Sequence, residues 1–323
     1  VNAFVTGGTG FVGAHLVHAL RARGDRVTCL VRSPAKAQAL GWTDVRTVRG
    51  DLDDSRALAE GCADAEVVYH VAGRIAARSL DEFLAANRDG TRRVLEAAEG
   101  APHRPRLVLV SSAAAGGPNP RGAPIDESAP AGPVTDYGRS KLAAEEVVRA
   151  GVGSWSIVRP PVVYGERDTE TLKLFRLARF GIGAVFGDGR QELSVIYAGD
   201  LAQALIAAGT HPAALGRTYY ACHPEIHTSR SLVLAVARAV GKIPVVFPVP
   251  APVARGLLWT IGSLAALAGR ATILTADKAN EFLAPAWTCR ADRLMRDTGW
   301  RAQTDLNTGL ARAVAWYRTE RWL

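Results

Sequence analysis

A tyrosine and a lysine stand four positions apart in the stretch YGRSK, at Tyr137 and Lys141. On a helix that spacing puts both side chains on one face, one turn apart. A phenol with an ordinary pKa of ~10 is a poor base at neutral pH. A neighbouring ammonium favours the phenolate and brings it within reach of acid–base work. A serine hydroxyl can hold a substrate oxygen in line with such a pair. Ser112 is placed for that role at the end of the apolar run RLVLVSS. Surface helices often carry Y-x-x-x-K by chance, so the rest of the chain must supply the context.

The chain opens with the apolar run NAFVT and continues into GGTGFVG, with glycines at Gly7, Gly10 and Gly13. The next segment, FVGAHLVHALRARG, has apolar residues at helical spacing and ends on Gly24. A glycine turn between a strand and a helix lets the backbone approach a pyrophosphate, and the helix N-terminus adds free N–H groups and a positive dipole end. The glycines are three residues apart, unlike the G-x-G-x-x-G fingerprint. Further strands are expected at RVTCLVR, VRTVRGD, AEVVYHVA, RLVLVSS and WSIVRP. Helices are expected between them, at SPAKAQALG, LDEFLAANRDGTRRVLEAAEG and YGRSKLAAEEVVRAG. The stretch GGPNPRGAPIDESAPAGPV reads as loop. This alternation predicts an α/β fold, a doubly wound, Rossmann-like parallel sheet with helices on both faces. After residue 160 it weakens. The expected organisation is a dinucleotide-binding domain over 1–164, with 195–222 returning to it. A smaller, discontinuous, mostly helical substrate lobe covers 165–194 and the C-terminal 223–323.

Composition narrows the function. The 323 residues are 48% hydrophobic, with a net charge of +8 and a pI near 9.6. The arginines are scattered and form no run or stripe. That excludes nucleic acid as the expected partner and suits an anionic cofactor or an anionic membrane surface. Cys29, Cys62, Cys222 and Cys289 form no C-x-x-C pair and read as the free thiols of a cytoplasmic protein. The apolar opening strand gives no sign of a signal peptide. Among the seven histidines, only His223 and His227 come near a metal spacing, and Pro224 breaks any shared helical face. No metal is expected.

Taken in order, these motifs resemble the extended short-chain dehydrogenase/reductase family, within the NAD-dependent epimerase/dehydratase superfamily. That family spaces its glycines G-x-x-G-x-x-G, as Gly7, Gly10 and Gly13 are spaced here. The similarity runs from residue 2 to about residue 205 and more faintly to the end. It implies a Ser112–Tyr137–Lys141 triad: Tyr137 as acid/base, Lys141 on the nicotinamide ribose, and Ser112 on the substrate. Ser111 is the neighbour that could be mistaken for Ser112, but the second serine lies five residues before Gly117, as in the family. The resemblance places Thr9, Phe11 and Val12 with the three glycines around the cofactor. Asp51 and Leu52 of GDL meet the adenine, Val71, Ala72 and Gly73 of YHVAG run beneath the cofactor, and Pro160 and Val163 of RPPVVYG flank the nicotinamide. NRDGTRRVLEAA, from Asn87, resembles the helix motif N-x-x-G-T, and IYAGDLAQAL, around Asp200, a structural stretch. Paired helices near 80–98 and 137–149 would suit the homodimer common in the family.

The cofactor reading turns on the end of the second strand. An acidic residue there would bind an adenosine ribose and repel a 2′-phosphate. Here the strand ends LVRSP. Arg32 can pair with a phosphate and Ser33 can add a hydrogen bond, which favours NADP(H). An Arg32 that only stacked on adenine would suit NAD(H) as well. SSAAAGGPN and RPPVVYG look more like the 3β-hydroxysteroid dehydrogenase and dihydroflavonol reductase branches, whose substrates are bulky, apolar ring compounds. The expected reaction is therefore alcohol–ketone interconversion on a sterol-like or other apolar substrate. The alternatives are a nucleotide-sugar epimerase or dehydratase with tightly held NAD, and a catalytically silent nucleotide-binding protein. Residues 248–270 are strongly apolar, with Arg255 inside. They are too interrupted for a membrane span. Two readings stay open for them: a buried or dimer-packing helix, or a lid or membrane-surface helix that would make the protein peripheral to a membrane.

Overall fold

Short β-branched runs become strands in the computed structural model, which describes residues 1–323. The first part runs β1 (Asn2–Thr6), α1 (Phe11–Ala22), β2 (Arg26–Val31), α2 (Pro34–Gln38), β3 (Arg46–Arg49), α3 (Ser55–Cys62) and β4 (Val67–His70). It continues with α4 (Leu80–Leu84), a π-helical turn (Ala85–Asp89), α5 (Gly90–Gly100), β5 (Arg106–Val110), α6 (Ala113–Gly116), α7 (Asp136–Ala150) and β6 (Trp155–Arg159). Next come β7 (Val162–Tyr164), α8 (Thr169–Ala178), β8 (Ile182–Phe186), β9 (Glu192–Tyr197), α9 (Ala198–Thr210) and β10 (Arg217–Tyr220). The chain ends with β11 (Ile226–Thr228), α10 (Ser229–Ala239), β12 (Val245–Val249), α11 (Ala251–Leu267), α12 (Ala279–Phe282), β13 (Ala286–Trp287), α13 (Asp292–Thr298) and α14 (Leu306–Thr319).

Seven strands form one sheet in the order β3-β2-β1-β4-β5-β6-β10, and every pairing in it is parallel. The order reverses between β1 and β4, which opens a crevice at their carboxyl ends. The period-2 alternation of the strands divides the core. Val5, Tyr69, Val108 and Val158 face α1 and α9, where Leu16, Leu20, Leu201 and Leu205 are buried with them. Phe4, Val68, Leu107 and Ile157 face the other way, onto Leu58, Val94 and Val148 of α3, α5 and α7. The doubly wound parallel sheet expected from the alternation is what forms.

The later segments hold more strand than their pattern suggests. TLKLFRLARFGIGAVFGDG forms α8 and then β8, and the stretch beyond 223 contributes β11, β12 and β13 beside its helices. These strands are five residues or fewer, and Gly183 and Pro248 interrupt two of them, so their alternation is hard to read. β9 crosses position 195 and joins β7, β11 and β13 in a separate small sheet; α9 and β10 make the return to the main one. β5 stops at Val110, and Ser112 caps α6 instead of ending the strand. The helix within 248–270 is α11, of which only Ala254 and Leu258 are buried. No helix is long and apolar enough to cross a membrane. All four cysteines are buried and free.

The packing of α3 on β1 leaves no room for a methyl group. A Cβ on Gly61 would lie 2.2 Å from the ring of Phe4, which is fully buried. Gly61→Ala should therefore lower the unfolding free energy by roughly 1–3 kcal/mol, as overpacked cores do. A lowered urea midpoint at unchanged m-value is the expected result.

Candidate active site

The crevice begins with the glycine turn after β1. Gly7 has φ +75°, and a Cβ on it would sit 2.5 Å from the amide nitrogen of Ala72. A Cβ on Gly13 would lie 2.1 Å from Gly7 O, so the first turn of α1 is pressed onto the loop. Gly10 is the N-cap residue of α1; no side chain caps this helix, and no acid lies in its first turn. The N-terminal N–H groups, in the segment of Phe11, Val12 and Gly13, are thus left for an anion. Thr9 precedes them in the loop. Val71, Ala72 and Gly73 follow β4 directly opposite, tied by Val71 N to Thr6 O at 3.1 Å. Arg32 lies exposed just beyond β2. Asp51 and Leu52 lie just beyond β3; Asp51 Oδ1 accepts from Asp53 N, and Leu52 packs against Gly90. Pro160 follows β6, its carbonyl accepting from Ala113 N at 2.8 Å, and Val163 sits in β7. All of these residues line one edge of the sheet, with Arg32 and Asp51 at its β2–β3 end. The close backbone, the uncapped helix and the basic residue at the rim fit a dinucleotide laid along the edge.

At the β4–β6 end stand Ser112, Tyr137 and Lys141. Thr135 caps α7, accepting from Gly138 N at 3.2 Å, which starts the helix just before Tyr137. The Ser112 hydroxyl, which accepts from Ala114 N at 3.1 Å, neighbours the half-buried Tyr137 phenol. Burial pushes this phenol up to about 12; the nearby Ser112 hydroxyl pulls against that, and the Glu281 carboxylate adds to it. Lys141 is only 6% exposed and donates from Nζ to Val110 O at 2.7 Å. An ammonium has three donors, so two are left for a ribose. Burial pulls Lys141 down to about 8, opposed by the charge of Glu145. A Cβ at Gly73 would come within 3.6 Å of Lys141 Nζ, so a side chain there would fill the space beside the ammonium.

Two supports for this site were not read as site residues from the sequence. The first is Asn87, turned inward by the π-helical segment. Its Oδ1 accepts from Arg74 N at 2.8 Å, and its Nδ2 donates to Arg74 O at 3.1 Å and to Ser140 Oγ at 2.9 Å. It thereby clamps the loop after β4 to α7. Its carbonyl accepts from Thr91 Oγ1, which pairs with His70, which pairs with Thr6. Burial, and after it the charge of Lys141, pushes His70 down to about 3, so its imidazole is neutral. The second is Glu145, one turn beyond Lys141. It is fully buried and accepts from Arg159, Arg149 and Ser111. Tyr137, Lys141 and Glu145 thus form a stripe of phenol, ammonium and carboxylate at i, i+4 and i+8. The same spacing that singles out Tyr137 and Lys141 reaches Glu145.

A third contribution comes from far along the chain. Glu281 Oε1 accepts from Thr135 Oγ1 at 2.7 Å, Asp277 Oδ2 accepts from Asp136 N at 2.9 Å, and Lys278 pairs with Glu281. Lys278 Nζ stands 5.7 Å from the centre of the Tyr137 ring. These contacts hold residues 272–282 over the phenol. Between them lies a cavity of about 110 Å³ of mixed lining, with Ile75, Ala77, Phe83, Tyr137 and Ile273 alongside Arg78, Asp136, Asp277 and Lys278. A larger groove of about 900 Å³ opens at the opposite end of the sheet, among Asn2, Arg21, Asp25 and Asp44. In it Arg21 pairs with Asp44 and Asp25 with Arg23, and none of the three candidate catalytic residues reaches it.

Lys141 carries a pH dependence whose sign is fixed. Its folded pKa of about 8 lies below the ordinary 10.5, so between those values the unfolded chain binds more protons and stability rises with pH. Relative to Lys141→Met, the wild type should gain up to roughly 1.4 kcal/mol per pH unit between pH ~8 and ~10. Urea unfolding of both proteins across that range checks it, and parallel curves would rule it out.

A family model described as NAD dependent epimerase/dehydratase family matches residues 3–222. The chain is 35% identical to a protein named ceramide reductase from Caulobacter vibrioides, over 99% of this chain and 95% of that one. It is 36% identical to sterol demethylase protein B of Methylococcus capsulatus, over 52% of this chain and 53% of that one. It is also 27% identical to N-acetyl-alpha-D-glucosaminyl-diphospho-ditrans,octacis-undecaprenol 4-epimerase of Escherichia coli O157:H7, over 97% and 94% of the two chains. The fold matches that of Thermus thermophilus UDP-glucose 4-epimerase, solved with NAD, at a TM-score of 0.78 and 24% identity, over 98% and 99% of the two chains. The chain belongs to the NAD-dependent epimerase/dehydratase family and is an NAD(P)-dependent oxidoreductase of the extended short-chain type.

Proposed function

We propose that this enzyme interconverts a ketone and a secondary alcohol on a bulky apolar lipid of the ceramide or sterol kind, with NADP(H) as cofactor. The observation that carries this reading is Tyr137, grouped with Ser112 and Lys141, in the wall of a cavity where Ile75, Ala77, Phe83 and Ile273 supply apolar surface beside charged Arg78, Asp136, Asp277 and Lys278. When bound, the nicotinamide supplies or accepts the hydride. Ser112 holds the substrate oxygen, and Tyr137 exchanges a proton with it. Buried as it is, Tyr137 rests as a phenol, the form that donates a proton in ketone reduction. The Lys141 ammonium then stabilises the phenolate left behind. A space of about 110 Å³ is too small for a whole lipid, which needs several hundred Å³. It admits the reacting end while the rest lies outside or displaces residues 272–282. Arg32, exposed at the rim with no acid at the end of β2, supports the 2′-phosphate. The relative named ceramide reductase supports the lipid class.

A second reading is an epimerase acting on a sugar nucleotide or a lipid-linked sugar. The relative from Escherichia coli O157:H7 favours it. Both reactions move a hydride to or from the carbon of an alcohol–ketone pair, so the site alone serves either.

Purified enzyme should oxidise NADPH with ketone-bearing ceramides or sterols and leave UDP-sugars unchanged. Epimerised UDP-sugar with retained NAD, and no lipid turnover, would overturn the first reading in favour of the second. Tyr137→Phe should lower turnover by about 10²–10⁴-fold, the usual worth of a positioned acid, with cofactor affinity within a few-fold. Unchanged turnover would remove Tyr137 from the chemistry. Arg32→Gln should weaken NADPH binding by at least about ten-fold, as loss of a charge-assisted bond does, and leave NADH binding nearly unchanged. Equal effects on both cofactors would point to Arg32 stacking on adenine.

A further inference from the structure

The outer surface formed by α8, β8, β12 and α11 is apolar where a surface exposed only to water should be polar. β8 and β12 pair in parallel, with Ile182 opposite Val245 and Ala184 opposite Phe247. All four are exposed, so the outer face of this two-stranded ribbon is an apolar one. A solvated sheet face ordinarily alternates to polar residues. α11 repeats the inversion. Val253, Leu257, Thr260, Leu264 and Leu267 recur at helical spacing on its exposed side, and Leu267 is 85% exposed. At the end of α8, Phe180 adds an aromatic ring that is 76% exposed.

Charge says what such a face meets. From Ile226 to Ala276 the chain holds no aspartate and no glutamate, while Arg230, Arg238, Lys242, Arg255 and Arg270 all lie in it. Between Thr171 and Gly187 there are again only basic charges, Lys173, Arg176 and Arg179, with Lys173 paired to Glu170. A protein partner would ordinarily be met by a rim of mixed sign. An apolar face whose own strands and helices carry only basic charges beside the paired Glu170, with the flanking Asp188 paired to Arg121, complements the anionic headgroups and acyl boundary of a lipid bilayer. α11 has 17 residues and no segment that could span, so it would lie in the plane of the interface.

The same face is joined to the active site. Gly262 of α11 packs on Thr275, where a Cβ would meet the backbone at 3.2 Å. Arg255 reaches Asn280, and Phe186 of β8 stacks on Phe282 of α12 at 5.1 Å. Residues 272–282, which cover Tyr137, are therefore backed by the apolar face.

We infer that α11 and the β8–β12 ribbon form a docking surface for an anionic lipid bilayer, which sets the covered end of the Tyr137 cavity at the membrane. This inference does not depend on which substrate is turned over. It is tested with the full chain and sedimentable vesicles of phosphatidylcholine alone or doped with phosphatidylglycerol. Wild type should co-sediment with the doped vesicles and be released by salt. L257E/L264E should remain in the supernatant while keeping its circular dichroism and its NADPH affinity. K242Q/R270Q should bind the doped vesicles roughly 25-fold more weakly, at about five-fold for each basic residue near the surface. Equal binding to neutral vesicles, or none to either kind, overturns the inference. If wild type ignores vesicles but runs as a dimer that L257E/L264E splits, the face is an interface between copies of this chain.

Discussion

One ammonium, buried at the carboxyl edge of the sheet, makes demands that much of the surrounding structure meets. A buried cation is costly unless charge and hydrogen bonds compensate it. Lys141 has the Val110 carbonyl at 2.7 Å and a carboxylate, Glu145, one turn further along α7. Glu145 is itself buried and has to be compensated in turn, which Arg149 one turn along the same helix, Arg159 of β6 and Ser111 after β5 achieve. His70 responds in the opposite sense: close to the same cation and buried, it stays neutral and serves as a link between Thr6 and Thr91. The polar groups around the site thus form two hydrogen-bonded sets that meet through the charge of Lys141, and together they hold its geometry from β1 across to β6.

The sheet order supplies the complementary constraint. Because it reverses between β1 and β4, the turn after β1 and the strand end after β4 meet across a gap that no crossover helix fills. Gly7 and Ala72 approach so closely that any side chain at Gly7 would collide with backbone. Asn87 then fixes the same loop from its other side, through both polar groups of Arg74. The crevice floor is held between a steric limit and an amide clamp.

Legibility in the sequence followed from how local each signal is. β1 to β6 and the longer helices between them declare themselves by period, by caps and by glycines such as Gly24, whereas the short α3 and α6 carry too few residues for a period to show and are not read from the sequence. Tyr137 and Lys141 are readable because one helix carries both. Glu145 was equally readable by spacing, but its role depends on Arg159, fourteen residues away on β6, and no periodicity connects the two. Asn87 needs the π-helical turn to point inward, and a continuous helical pattern over 80–100 gives no hint of that extra residue in the turn. Lys278 and Glu281 lie about 140 residues beyond Tyr137 and act on it only through tertiary contact. β8 and β12 were hidden by their brevity and by Gly183 and Pro248.

This contrast has a physical basis in what each part must specify. The candidate catalytic groups belong to α7 and to the N-cap of α6, both fixed by a buried sheet, so their positions follow from regular structure. The cover over Tyr137 is irregular chain held by a few polar anchors, Thr135 to Glu281 and Asp136 to Asp277, and backed by a helix with only two buried side chains. Few buried apolar contacts mean a low free energy of local opening. A cavity of about 110 Å³ under such a cover can enlarge without disturbing Lys141, Glu145 or Asn87, whose bonds run beneath it. The arrangement separates a rigid candidate site from an adaptable wall, and under the proposed function substrate size would be decided by the part of the chain whose sequence carries the least regular pattern.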